Sequence, residues 1–259
     1  MNIVHISDLH FGMNDPAIIA AFLQDLESLK PELMIISGDL TQRARTHEFE
    51  QLSTFLQGFT VPLLIVPGNH DIPLYNPVSR FIEPFKQYKN YVSPKLDATY
   101  ADERVNILGI NSATPYKIKD GTLRKKDLKR INSHFSATKG QLNILFFHHN
   151  LKYFSGMHQP LDNAKEFLYY LKDSPIHIVC TGHLHYGNLT LITKNNGKQC
   201  ALLHAGSTFC PRTKDGKNSF YVITGDHLRC SVDWRVFDKG IFSSYKVYDI
   251  DLNTVKRCE

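Results

Sequence analysis

Five separate stretches of this chain run through four or more mostly apolar residues and then stop on metal-seeking side chains. The stops are Asp8-Leu9-His10, Gly38-Asp39-Leu40, Gly68-Asn69-His70-Asp71, His148-His149-Asn150 and Gly182-His183-Leu184-His185. In an open α/β sheet, ligands gather in the crevice at the carboxyl ends of the strands. Five strand ends carrying Asp, Asn and His would therefore aim one set of donors at one place. Such a set suits hydrolysis at two metal ions.

The elements that must position these donors read as alternating strands and helices. Ile3–Ser7 is apolar on both faces, as expected of a strand covered on both sides. Asp15-Pro16 supplies an N-cap and a first-turn proline, and Ile18, Ile19, Phe22, Leu23, Leu26 and Leu29 follow at helical spacing. Leu33–Ser37 is the next strand; Phe49, Leu52, Phe55 and Leu56 mark a second helix; Pro62–Val66 is a third strand. This order predicts a parallel βαβαβ start. Val105–Ile110, Asn143–Phe147 and Ile176–Thr181 read as further strands, with helices near Leu128, Ile131 and Phe135 and over Ala164–Leu171. Beyond Gly187, short runs at 189–192, 201–204, 220–223, 228–233 and 245–250 are separated by turns such as Asn195-Asn196-Gly197 and Lys214-Asp215-Gly216. They predict hairpin-joined antiparallel strands over 188–259 that complete a second sheet.

Bulk composition bounds the possibilities. The chain has 259 residues, 42% hydrophobic and 21% charged, with no linker, repeat or low-complexity tract. The motifs span residues 8–185, so one domain is expected, with its metal core in 1–187. No basic-then-apolar leader opens the chain, and no apolar run reaches the roughly 20 residues a transmembrane helix needs. Five unpatterned cysteines, Cys180, Cys200, Cys210, Cys230 and Cys258, fit reduced thiols and a cytoplasmic setting. Part of the net charge of +5 comes from Arg124-Lys125-Lys126 with Lys129-Arg130, and from Arg212, Lys214 and Lys217. These groups read either as solvated surface or as a rim attracting an anionic substrate or acidic membrane.

In this order, D-x-H, G-D, G-N-H-D, H and G-H-x-H resemble the calcineurin-like metallophosphoesterase superfamily over residues 3–187. The resemblance implies an α/β fold, a four-layer αββα sandwich of two mixed β-sheets flanked by helices, with a dinuclear metal centre. It implies Asp8, His10 and His185 as ligands of one ion, Asn69, His148 and His183 as ligands of the other, and Asp39 as the bridge. Carboxylate, imidazole and amide donors without thiolate suit two divalent ions drawn from Mn, Fe, Zn and Co. Two such ions bring about +4; with Asp8, Asp39 and a bridging hydroxide counted, roughly +1 remains. A small anionic phosphoester answers that charge.

The resemblance also implies that His70 lies over the phosphate as a catalytic acid or transition-state stabiliser, and that Asp71 holds the loop. Asp39-Leu40-Thr41-Gln42-Arg43 resembles the G-D-x-x-D-R-G block of protein Ser/Thr phosphatases, but Gln42 stands where those enzymes carry the Asp that partners the catalytic histidine. The departure argues against a protein phosphatase and leaves the partner of His70 open. Arg43, His149 and His204 are candidate substrate contacts, while His5 is expected to be a core histidine. His47, His134, His158, His177 and His227 read as structural or surface residues. Asn150 stands where the family often has Pro. Residues 72–88, with Tyr75, Arg80, Phe81, Phe85 and Tyr88, suit either a lid or plain packing.

Within the superfamily the chain is most similar to the bacterial cyclic-nucleotide phosphodiesterases, which makes 3′,5′-cyclic nucleotides the expected diesters. The alternative is a UDP-diacylglucosamine-type pyrophosphatase, a group that usually shows Arg where His70 stands. A nuclease would carry an extra capping domain, and no stable nucleic-acid partner is expected. A non-catalytic scaffold is opposed by the complete donor set.

Overall fold

A computed structural model describes residues 1–136 and 140–252. The chain begins β1 (Asn2–Ile6), α1 (Pro16–Leu29), β2 (Leu33–Ser37), α2 (Thr46–Gln57), β3 (Leu63–Val66). A 3₁₀ turn (Asn69–Asp71), α3 (Pro77–Ile82), α4 (Lys86–Tyr91) and β4 (Ala98–Ala101) follow. Next come β5 (Val105–Gly109), α5 (Lys125–Ser136), β6 (Leu142–Phe146), α6 (Ala164–Leu171) and β7 (Ile178–Thr181). The remaining strands are β8 (Asn188–Thr193), β9 (Gln199–His204), β10 (Ser219–Gly225), β11 (Arg229–Asp238) and β12 (Ile241–Asp251).

Two six-stranded mixed sheets result, ordered β12-β11-β10-β1-β2-β3 and β4-β5-β6-β7-β9-β8. Side chains along a strand alternate faces, and that alternation sorts each sheet's residues into two cores. Ile3, Leu33, Ile35, Ile107, Ile144 and Ile178 meet between the sheets. Val4, Ile6, Met34 and Ile36 instead pack under α1 and α2 through Phe22, Leu26, Phe49 and Leu52. On the opposite outer face, Leu108, Leu145 and Val179 pack under α5 and α6 through Ile131, Phe135, Phe167 and Leu171. The layers are therefore α/β/β/α, as the sequence leads one to expect. Asp15 caps α1, its carboxylate accepting from the Ala17 amide at 2.8 Å.

The tail departs from expectation in one respect. Its strands do not complete one sheet but divide between both. β8 and β9 form the predicted hairpin around Asn195-Asn196-Gly197, and β9 then lies parallel to β7. β10 crosses over and pairs antiparallel with β1, extending the first sheet through β11 and β12. Lys214-Asp215-Gly216 thus belongs to a crossover between sheets, not to a hairpin. Short apolar runs announce strands, but which edge they join depends on distant partners.

Part of residues 72–88 supplies the plain packing offered for them. Phe85 and Tyr88 pack into the α1/α2 core, and the Tyr88 hydroxyl donates to the Ile65 carbonyl at 2.9 Å. Phe81 and Tyr75 stay exposed. Cys180, Cys200, Cys210 and Cys230 are free and buried; Cys258 lies outside the described residues. Among those residues, no helix is long and apolar enough to cross a membrane.

Candidate metal centre

The parallel strands β1, β2 and β3 of one sheet and β6 and β7 of the other all deliver their carboxyl ends to one crevice. Ladder bonding continues past the strand ends: Asp8 N donates to Gly38 O at 3.0 Å and His10 N to Asp39 O at 3.1 Å. The turns that follow are tight. Asp8, His10, Asp39, His183 and His185 all have φ between 47° and 83°, a region costly for residues with a Cβ. Five of the eight non-glycine residues with positive φ among the described residues are therefore candidate ligands. Strain concentrated on chemically capable side chains marks a site that the surrounding fold has to enforce.

The glycines of the motifs serve close approach. A Cβ on Gly68 would sit 2.2 Å from Asp39 Oδ1, and one on Gly182 would sit 1.8 Å from Ser7 Oγ and 2.4 Å from Asp8 Oδ2. Gly182→Ala should consequently destabilise the fold by about 1–3 kcal/mol, the usual cost of overpacking, and displace Asp8. Chemical denaturation with metal analysis checks this; a variant of wild-type stability and metal content would show that the loop yields freely.

Seven donors converge. Asp8, His10, Asp39 and His185 form one group, and Asp39, His148 and His183 another, each with ligand atoms within 4.8 Å of one another. Asp39 belongs to both, one oxygen to each: Oδ2 lies 3.8 Å from His10 Nε2, and Oδ1 lies 3.2 Å from His148 Nε2. Asn69 joins the second group, its Oδ1 3.2 Å from His148 Nε2, while its amide nitrogen is turned away to donate to Ile118 O. In the first group, His185 Nε2 stands 2.8 Å from His10 Nε2 and 3.4 Å from Asp8 Oδ1.

Hydrogen bonding alone does not satisfy this arrangement. His148 Nε2 faces Asp39 Oδ1, Asn69 Oδ1 and His183 Nδ1, each at 3.2 Å, yet an imidazole nitrogen carries at most one proton. The remaining lone pairs confront each other in a buried space, where a cation would resolve them. Outer contacts fix the rings for that purpose. His148 Nδ1 donates to Ser37 O at 2.8 Å, and His185 Nδ1 donates to Arg212 O, so Nε2 of each is left for the centre. The donors present thus fit divalent ions.

Burial and charge set the protonation states. Burial opposes ionisation of Asp8, but the His185 hydrogen bond and nearby imidazoles outweigh it and hold the carboxyl at about 2. Asp39 is likewise kept well below the usual range, His148 providing the largest attraction against its burial. Burial lowers His10 to about 3 and His183 well below its ordinary value. Two carboxylates and two neutral imidazoles therefore present lone pairs near neutral pH.

His70 finds the partner that no side-chain motif revealed. Its Nδ1 lies 2.8 Å from the backbone carbonyl of Gln42, the residue standing where a protein phosphatase carries Asp. Its backbone amide donates to Asp39 Oδ1 at 2.9 Å, and its ring meets His10 edge-on at 4.9 Å. Asp71 ties the loops together by accepting from Leu40 N, Thr41 N, Thr41 Oγ1 and Gly68 N at 2.8–3.1 Å. Burial, and then the charge of Asp39, raises its carboxyl to about 6 despite those donors.

The centre opens into a cleft of about 480 Å³. Arg43 lines it, with its guanidinium over the Tyr75 ring at 5.5 Å. His149 and His204, the other two candidate contacts, do not line this cleft. His149 is buried beneath Gly121 with Nδ1 on Ser112 Oγ, and His204 bonds Thr181 Oγ1 beside a separate small pocket. His158, read as structural or surface, does line the cleft, its ring 5.4 Å from that of His183. Sequence reasoning also passed over Lys119, an isolated residue without a motif, whereas Leu74 of the 72–88 stretch lines the cleft as well. The two basic clusters separate. Arg124 and Arg130 pair with Asp127 and Asp97 at α5, whereas Arg212 and Lys214 line the cleft. His5 is buried and meets Ser37 Oγ through Nε2 at 2.9 Å.

A model of the calcineurin-like phosphoesterases matches residues 1–187. The chain belongs to the calcineurin-like phosphoesterase family. It is 26% identical over 218 residues to the UDP-2,3-diacylglucosamine pyrophosphatase LpxG of Chlamydia trachomatis, covering 74% of this chain and 65% of the relative. This chain therefore spans less than two thirds of that protein. It is 23% identical over 193 residues to a probable cyclic nucleotide phosphodiesterase of Ruthia magnifica, covering 70% of this chain and 77% of the relative. Among solved structures, a dimetal phosphatase from Danio rerio superposes with a TM-score of 0.70 at 10% identity, covering 98% of this chain and 99% of that one. At that identity the likeness concerns the calcineurin-like phosphoesterase fold alone.

Proposed function

We propose that the protein is a dinuclear-metal phosphodiesterase, with 3′,5′-cyclic nucleotides as its substrate class. The observation that carries this reading is Asp39, whose two carboxylate oxygens face two different donor groups. Asp8, His10 and His185 would hold one ion with it, and Asn69, His148 and His183 the other. Bound there, two divalent ions would supply a hydroxide nucleophile at neutral pH and positive charge opposite the phosphoryl oxygens. The chain's own groups do the rest. Among the described residues, Asp39 is the sole acid lining a cleft that also holds Arg43, Arg80, Lys119, Arg212 and Lys214, so an anion is drawn in. His70, held through Nδ1 by the Gln42 carbonyl, keeps Nε2 free to protonate the leaving oxygen. We read residues 1–259 as one domain in a cytoplasmic enzyme, a setting the free, buried cysteines support.

Gln42 favours the diester. Its side-chain amide lines the cleft, is buried, and has no partner for either its nitrogen or its oxygen. A neutral amide can hydrogen-bond the ester oxygens of a diester, whose single negative charge matches the roughly +1 that two divalent ions would keep beside Asp8, Asp39 and a hydroxide. Hydrolysis of bis-p-nitrophenyl phosphate should therefore exceed that of p-nitrophenyl phosphate in kcat/KM once the enzyme is metal-loaded. A clear preference for the monoester would move the reading to a phosphatase.

The pyrophosphatase alternative draws support from the Chlamydia relative and from exposed apolar residues beside the cleft, and is opposed by His70 where that group usually has Arg. A panel of cyclic nucleotides and UDP-linked lipids separates the two.

A further inference from the structure

α3 is built inside out. Its one charged residue, Arg80, is buried, while Val78, Phe81 and Ile82, which share a face at i, i+3 and i+4, lie in solvent. Ile82 is 73% exposed. Beside them Tyr116 is 83% exposed, and Ile118 is exposed as well. The Phe81 and Tyr116 rings approach to 6.1 Å, so the two segments form one surface.

That surface is held in place. The Arg80 guanidinium donates to the carbonyls of Pro115 at 2.8 Å, Lys117 at 2.6 Å and Pro73 at 3.1 Å. Burying a cation to clamp three carbonyls fixes α3 against the 115–118 loop with its apolar side facing outward. Leaving five large apolar side chains together in water is unfavourable unless something covers them.

The surroundings indicate what does. Ile118 and Arg80 line the cleft, so the apolar surface adjoins its mouth at Ile118. The same mouth is bordered by Arg43, Lys119, Arg212 and Lys214, with Asp39 as the sole acid among the described residues, deep among the donors. A wedge of apolar side chains beside a basic rim matches the interface of a bilayer with anionic headgroups: the apolar groups enter the acyl boundary and the cations meet the headgroups. A second copy of this chain would bring the same positive rim against itself, which like charges oppose. We propose that α3 and the 115–118 loop form a membrane-docking surface that sets the cleft mouth on an anionic lipid bilayer. This goes beyond the assigned reaction and concerns where the reaction takes place.

The chain of residues 1–259 tests it by co-sedimentation with vesicles. Vesicles of phosphatidylcholine and phosphatidylglycerol should pull the protein down, pure phosphatidylcholine should do so at least tenfold less well, and added salt should weaken the binding. Phe81→Asp combined with Ile82→Asp should reduce binding at least tenfold while leaving the melting temperature and bis-p-nitrophenyl phosphate turnover unchanged. Tyr169→Asp on α6, exposed but outside the cleft lining, should bind as wild type. The proposal is overturned if anionic vesicles leave the wild type in the supernatant or if the double variant binds them undiminished. It is also overturned if light scattering shows a dimer that the double variant breaks while vesicle binding persists. The readout is binding, so a failure here leaves the assigned reaction untouched, and the converse holds.

Discussion

Asp39→Ala should lose metal from both donor groups together and nearly all activity with it. The carboxylate stands between the groups, Oδ1 beside His148 and Oδ2 beside His10. Its removal takes one anionic ligand from each and leaves neighbouring imidazoles without the charge that balances them. Losing metal-derived charge stabilisation worth about 4 kcal/mol corresponds to roughly three powers of ten in rate. Asp8→Ala makes the sharper comparison. Asp8 meets His10 and His185 but is absent from the His148 group, so its loss should thin one site and spare the other. Elemental analysis of both variants decides the matter, and two ions per chain retained in Asp39→Ala would end the bridging assignment.

His70→Ala should behave in the opposite way. The imidazole belongs to neither donor group, so metal content should stay at the wild-type level. Turnover should fall roughly 10²–10⁴-fold, the range for a positioned general acid or base. The fall should be greatest with alkoxide leaving groups, which need a proton, and smaller with p-nitrophenolate, which leaves readily without one. A variant with wild-type turnover on both would make the bond from His70 to the Gln42 carbonyl a structural tie only.

The two predictions draw on different kinds of information. The donors of Asp39→Ala were legible in the chain because each follows its own strand directly: Asp8 after β1, Asp39 after β2, Asn69 after β3, His148 after β6, and His183 after β7. Local pattern and local geometry coincide there. The partner of His70 was not legible, because a backbone carbonyl leaves no trace in a side-chain motif. β4, with the sequence Ala-Thr-Tyr-Ala and alternate residues exposed, is a short edge strand without an apolar run. α3 and α4, six residues each, are too short to show helical periodicity, and α3 reverses the usual polarity of its faces. The division of the tail between two sheets escaped for a further reason. Ser219–Gly225 looks like any half-buried strand, and only the exposed edge of β1 selects it.

That selection has a consequence for how the fold comes into being. β1 is made long before β10, so one of its flanks is paired only when β10 arrives, and the Asp8 loop waits for the same distant segment. Ser207 Oγ donates to Asp8 O at 2.8 Å and Thr208 Oγ1 to Ser7 O at 3.1 Å, across sequence separations of 199 and 201 residues. Contacts this remote raise the contact order, and chain closure must be completed before they contribute. During synthesis, β2 and β3 can assemble on one side of β1 while its other edge stays open to pairing with foreign strands. The nascent chain is thus exposed to misassembly at the strand that leads into its first candidate ligands, and the donor set is in place only late, when residues 207–225 close the sheet beside them.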